Sequence, residues 1–177
     1  VQVINLGFSV GPHPGPAGLA LFSLSPNGTS VVDWARSLMK ISLPKLEYLL
    51  ESSGPAPSPL VAVPHLSGAT VCWSGGRASR GALLGMNFAS SQSDVVKSIM
   101  EGIAYDLLLA VRSFRDAEVE IALLRAAGGG TRSAWWTQLK ADLTGIPIEV
   151  VNQKEPGTLG AALLAGCRRW ERVAMNT

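Results

Sequence analysis

The sequence predicts an α/β domain with a layered sheet, and three observations carry that prediction. Gln92 to Phe114 sets Val95, Ile99, Ile103, Ala104, Leu107, Leu108 and Val111 at helical spacing, one broad apolar face that a sheet would cover. The last third alternates strand, glycine turn, helix, strand and helix, the rhythm of an α/β layer. Hydrophobic residues make up 47% of the 177 positions and charged residues 16%, a composition that folds around a core.

The elements follow in order. Val1 to Pro16 reads as a strand remnant running into a rigid Gly-Pro loop, and Leu19 to Leu24 as a short buried strand stopped by Pro26-Asn27-Gly28. From Thr29 or Ser30, either of which offers a capping hydroxyl, Val31, Val32, Ala35, Leu38 and Met39 recur at helical spacing. A short helix over Lys45 to Glu51 precedes an exposed loop from Ser52 to Pro59. Leu60 to Val63 and Gly81 to Met86 are strands around a long irregular segment, Pro64 to Arg80. Ser91 and Asp94 form a capping-box pair at the head of the long helix, on which Asp94, Lys97, Glu101 and Arg112 lie away from the apolar face. Val119 to Ala126 is then a strand, Gly128 to Gly130 a tight turn, and Ser133 to Leu143 a helix stopped by Gly145-Ile146-Pro147. Ile148 to Val151 and Thr158 to Trp170 are the closing strand and helix, with Thr158 as cap and Gly160, Ala161 and Ala162 suited to close helix packing.

Several functions are disfavoured by composition. A net charge of +2 without a Lys/Arg cluster argues against a nucleic-acid surface. No apolar run approaches the roughly 20 residues of a membrane span. Cys72 and Cys167 are far apart and admit one disulfide, though they read better as two free thiols of a cytoplasmic protein; neither they nor His13 and His65 show zinc spacing, so no metal ligand is assigned. The start at Val1, without methionine or a basic leader, reads as a piece of something longer.

The chemistry concentrates at Leu123 to Ser133, where a strand runs into three glycines and a helix. Glycine lets the backbone approach a flat ligand, and the helix start presents unpaired N–H groups. The same pattern also serves a plain strand–helix turn. Gly128-x-Gly130-x-x-Ser133, with Glu149 at the distance of a ribose-binding acid, is a near miss to a dinucleotide fingerprint and admits an NAD-binding Rossmann domain as an alternative.

Longer motifs are more specific. AAGGGTRSAWWTQLKADLTGIPIEV followed by EPGTLGAALLAG resembles the end of the FGGY carbohydrate kinases, xylulokinases most of all. Upstream and in the same order, NGTSVVDWARSL is similar to that family's glycine-serine helix start. PHLSGATVCWSGGRASRGALLGMN is similar to its P-Y-L-S-G-E-R segment, and SSQSDVVKSIMEGIAYDLL to the helix that follows. The resemblance covers roughly residues 20 to 170. It departs at Ala69-Thr70, where the family has Glu-Arg, and at Val71 or Cys72, where it has Pro.

The resemblance implies a ribonuclease-H-like domain of the actin-like ATPase superfamily, with a mixed sheet flanked by helices. Residues 1–177 would be one C-terminal domain lacking its first few residues, and the N-terminal catalytic domain would lie outside the chain. It implies a sugar kinase half that uses ATP and magnesium and acts on a ketose or polyol such as xylulose, mainly through the other domain. Gly128, Gly129, Gly130 and Ser133 match the segment against adenine and ribose. Gly28, Thr29 and Ser30 match a helix start beside the nucleotide, in a register that shifts by one residue if Trp34 is aligned instead. No catalytic residue falls within the chain, which alone would be inactive; Asp94, Asp106 and Asp142 keep ordinary helical roles. The alternative is a catalytically degenerate, kinase-like binding or regulatory domain, and a homo-oligomer is left open.

Overall fold

The computed structural model describes residues 8–13, 18–69, 78–153 and 155–174, the last eight by backbone alone. Cys72 and residues 1–7 lie outside the described residues, and Cys167 falls within the backbone-only stretch. Strands β1 (Ser9–Pro12) and β2 (Leu19–Phe22) form an antiparallel hairpin pairing Ser9 with Phe22 and Pro12 with Leu19. Phe8, at the foot of β1, is buried against Phe114 with ring centroids 4.3 Å apart. The buried strand expected at Leu19–Leu24 is instead an exposed one: Leu19 is 74% accessible and Leu24 67%.

Helix α1 (Thr29–Met39) starts one residue after Gly28, which occupies the cap position without a side-chain cap. The expected hydroxyl cap is not made, because Thr29 and Ser30 are already inside the first turn; Ser30 Oγ donates to Pro26 O at 3.5 Å instead. Helix α2 (Leu43–Ser52) is capped by Ser42, whose Oγ accepts the Lys45 N–H, and buries Leu46 and Leu50. Strands β3 (Val61–Val63) and β4 (Ala82–Leu84) pair antiparallel across the long segment between them.

Helix α3 (Gln92–Asp116) is the element on which the others rest. Ser91 and Asp94 exchange both bonds of the capping box. Val96, Ile99, Met100, Ile103 and Ala104 bury one face against β3 and helices α1 and α2. Lys97 and Glu101, expected on the outer face, are buried, at 3% and 6% accessible. Lys97 Nζ donates to the carbonyls of Gly54 (2.7 Å) and Ala56, and both Glu101 oxygens accept the Ser58 N–H at 3.0 and 3.2 Å. The Gly-Pro-Ala-Pro loop has few side-chain donors or acceptors of its own, so α3 supplies them and holds the loop down. Burial pushes the Glu101 carboxyl above its ordinary range, against the pull of the Ser58 N–H and Lys97.

The α3 C-terminus consumes part of the next expected strand. Glu118 takes φ of 60° and the Val119 N–H returns to Phe114 O at 2.9 Å, so β5 is confined to Leu124–Ala126. Helix α4 (Ala134–Thr144) is capped by Ser133 and closed by Gly145 at φ 66°, and strand β6 (Ile148–Val150) returns parallel to β5, pairing Leu124 with Ile148. Trp136 Nε1 donates to Met100 O at 3.0 Å and fastens α4 to α3. Helix α5 (Pro156–Ala174) starts two residues before Thr158, which is therefore not its cap. Leu159, Leu163 and Leu164 stand exposed, and a methyl added at Gly160 would meet nothing within 4 Å, so the expected close packing of this helix is absent among the described residues. Parallel and antiparallel pairings thus coexist, divided, among the described residues, between three two-stranded ladders flanked by helices.

Candidate functional site

β5 delivers the chain at Ala126 to the glycine turn, and the three glycines have different reasons to be there. Gly128 has φ of 92°, a conformation that L side chains avoid. A Cβ at Gly130 would come within 3.1 Å of the Trp136 ring and 3.5 Å of Thr29 Cγ2, so this residue lets the turn lie against α4 and α1. Gly129 would meet nothing within 4 Å; its missing side chain leaves open space over the turn. Thr131 closes the turn, donating from both N and Oγ1 to Gly128 O at 3.2 and 2.8 Å. Ser133 then accepts the Trp136 N–H as the helix cap while its own hydroxyl donates to Glu47 Oε2 at 2.8 Å.

The facing wall is the turn between β2 and α1. Asn27, only 1% accessible, donates from Nδ2 to Gly68 O at 2.6 Å and accepts the Ser67 N–H at 3.3 Å. Its amide fixes this turn against the segment after β3, so Gly28 and Thr29 face the glycines.

Two adjoining hollows result, both bordered by Thr29, Gly129, Gly130 and Trp136. The wider, about 480 Å³, adds Gly28, Gly128, Asn27, Asp106 and Lys140. The narrower, about 260 Å³, adds Ser133, Glu47, Asp33, Arg36 and Arg132. Six of the seven residues singled out from the sequence therefore border one cleft. Ser30 borders neither hollow.

The polar residues that sequence reading missed come from elsewhere in the chain. His65 Nε2 hydrogen-bonds with Asp106 Oδ1 at 3.3 Å and its Nδ1 with Ser79 Oγ at 2.6 Å, which joins α3 to both ends of the segment between β3 and β4. Burial raises the Asp106 carboxyl, with His65 pulling it down. Lys140 Nζ sits 3.4 Å from the Trp136 ring centroid, and burial pushes this amine down to about 8. In the narrower hollow Arg36 Nη1 donates to Asp33 Oδ1 at 2.9 Å. Only the i,i+3 spacing of Asp33 and Arg36 and the i,i+4 spacing of Trp136 and Lys140 were visible beforehand; the contacts of His65 with Ser79 and Asp106 join distant segments.

Glu149, the acid of the dinucleotide alternative, is engaged across the parallel ladder by Arg125 Nε at 2.9 Å. Among the described residues, no group of three or more His, Cys, Asp or Glu side chains is placed to hold a metal ion. Among them too, no helix is long and apolar enough to cross a membrane.

A glycine turn between a parallel strand and a helix, facing a second helix start, is the candidate site; comparison with known proteins gives the chain a family. The C-terminal domain of the FGGY family of carbohydrate kinases matches residues 9–168, and the chain belongs to that family. A probable L-xylulose kinase of Pasteurella multocida is 28% identical over 93% of this chain and 33% of its own length. A glycerol kinase of Cereibacter sphaeroides is 36% identical over 77% of this chain and 28% of its own. Among solved structures, a xyloylose kinase from Brucella ovis superposes with a TM-score of 0.82 at 24% identity, over 90% of this chain and 34% of that one. Plasmodium falciparum glycerol kinase with ADP superposes at 0.77 and 28% identity, over 92% of this chain and 33% of that one. The fold is that of these sugar kinases, and the chain spans about a third of the length of such relatives.

Proposed function

We propose that this chain is the ATP-binding half of a cytoplasmic carbohydrate kinase that phosphorylates a ketose or polyol such as xylulose. The observation that carries the reading is the open Gly129 backbone facing Thr29 across a cleft of nucleotide size. ATP supplies the transferable γ-phosphoryl group when bound. The chain's own residues do the rest of what can be assigned to this half. The glycine turn gives the ligand a surface without side chains, Trp136 and Thr29 wall it, and the Ser133 cap fixes the start of α4. Phosphoryl transfer also needs a base for the sugar hydroxyl and groups that hold the phosphates in line. Both are assigned to the other two thirds of the protein. The described residues offer no carboxylate cage for magnesium, so none of them is given that role.

A binding-only reading has one observation in its favour: Ala69, buried, stands where the family has an acidic residue. The two readings part in the whole protein, where sugar-dependent ATP turnover supports the kinase and its absence with intact nucleotide binding supports the other. For the cleft itself, backbone amide NMR during separate titrations with magnesium-ATP and with NAD is the test. ATP is expected to move Gly128 to Ser133 and Gly28 to Thr29. Gly129→Ala, which has room for its methyl in the fold, should weaken ATP binding while leaving the spectrum otherwise intact. Shifts at the turn with NAD alone would overturn the reading.

A further inference from the structure

The narrower hollow contains a polar group that neither the glycine turn nor the helix start explains. Glu47 projects from α2 one residue after buried Leu46, and Ser133 Oγ donates to its Oε2 at 2.8 Å. That single bond fixes the carboxylate at the lip of the turn, beside Gly129 and Gly130, and among the described residues Oε1 has no hydrogen-bond partner. The other charges around the hollow are Asp33 and Arg36, which bond to each other at 2.9 Å, and Arg132 at the end of the glycine turn. A half-buried carboxylate held by one oxygen presents one strong acceptor to whatever enters. The contact joins positions 86 residues apart, so no sequence pattern announces it.

Resting on the nucleotide reading above, we propose that Glu47 is a specificity-determining residue that accepts a hydrogen bond from the exocyclic 6-amino group of adenine. The base would occupy the narrower hollow, with ribose and phosphates directed along the turn toward Gly28 and Lys140. Ser133 is the positioning residue, because its hydroxyl holds the carboxylate. Adenine suits this arrangement better than guanine. Guanine's adjacent N1 and N2 hydrogens call for two free carboxylate oxygens side by side, and Ser133 already occupies one.

The test compares ADP with purine riboside 5′-diphosphate, which lacks only the 6-amino group, and with GDP, by amide NMR titration of the 177-residue chain. In the unsubstituted chain ADP should bind about tenfold more tightly than the purine analogue, the range of a hydrogen bond to a charged group. Glu47→Ala should bring the two within about twofold by weakening ADP alone, and Glu47→Gln, whose carbonyl still accepts, should fall between. Glu47→Gln also guards against loss of fold, since it preserves shape and its amide can still hydrogen-bond the Ser133 hydroxyl when its carbonyl faces the base. Equal binding of ADP and the analogue would overturn the role of Glu47 and leave the nucleotide cleft standing, as would tighter binding of GDP than ADP. Failure of all three ligands to move the Gly128–Ser133 amides would instead overturn the nucleotide reading, and this assignment with it.

Discussion

Gly128, Gly129 and Gly130 look interchangeable as letters, yet one answers to backbone conformation, one to open space and one to an aromatic ring. The run itself was legible in the sequence; the division of labour was not, because it depends on Trp136 and Thr29 arriving from two other elements. Lys140 shows the same limit. Its spacing from Trp136 is visible, but its place in the cleft with Asp106 and Gly28 is not. Its burial has a consequence for stability. The folded amine titrates near 8 against 10.5 for the ordinary side chain. Between those values the unfolded chain binds more protons than the folded one, so stability rises with pH across that window. Below pH 8 the cost of burying the charge is fully present. Lys140→Met should therefore be at least as stable as the parent at pH 7. In urea denaturation followed from pH 7.5 to 10, the difference between the two should shrink as the parent gains. A constant difference over that range would show that Lys140 carries no such burden.

At the scale of elements, α3 was the most legible part of the chain and also the most misleading. Its extent, its capping box and its apolar stripe follow from local pattern. Lys97 and Glu101 do not, because periodicity places charges on the outer face and cannot foresee a Gly-Pro loop that needs their donors and acceptors. The short strands suffered likewise: Val119 to Leu123 has strand composition, but the left-handed turn at Glu118 spends the chain on closing α3. Gly102 marks where α3 and β3 press together. A Cβ there would sit 2.5 Å from Ala62 O and 3.3 Å from Pro64 Cδ, both on rigid backbone or ring, so α3 and β3 would have to separate. Gly102→Ala should cost about 3 kcal/mol and lower the melting midpoint by roughly 6–12 °C. Gly160→Ala in α5 is the matched control. With nothing in reach of its methyl, it should stabilise by about 0.5–1 kcal/mol through helix propensity alone. Thermal unfolding by circular dichroism separates the two, and a tolerated Gly102→Ala would mean that α3 does not press on β3 as described.

At the scale of the molecule, what stays uncovered is as informative as what is buried. The family and its fold were legible because ordered motifs survive over most of the chain. The apolar surface was not, because it depends on which faces find partners. Trp34 and Leu38 on α1 border an apolar hollow of about 350 Å³ with Leu66, Ala82 and Leu83, and Leu38 is 67% accessible. On α5, Leu163 is 61% accessible, with Leu159 and Leu164 beside it. Single exposed leucines are ordinary, but contiguous rows of them on two helices are not ordinary for an isolated soluble chain. With relatives about three times as long, the proposal that the remainder covers part of this surface follows directly. The 177-residue chain should then self-associate in a concentration-dependent way, visible as a rising weight-average mass in sedimentation equilibrium. Leu38→Lys and Leu163→Lys each replace an exposed leucine at little cost to the core and should reduce that association, with the larger effect identifying the face in use. A chain that stays monomeric at the highest concentrations, with both leucines in place, would mean these rows are too dispersed to drive contact. The surface covered in the whole protein would then have to be sought around the cleft instead.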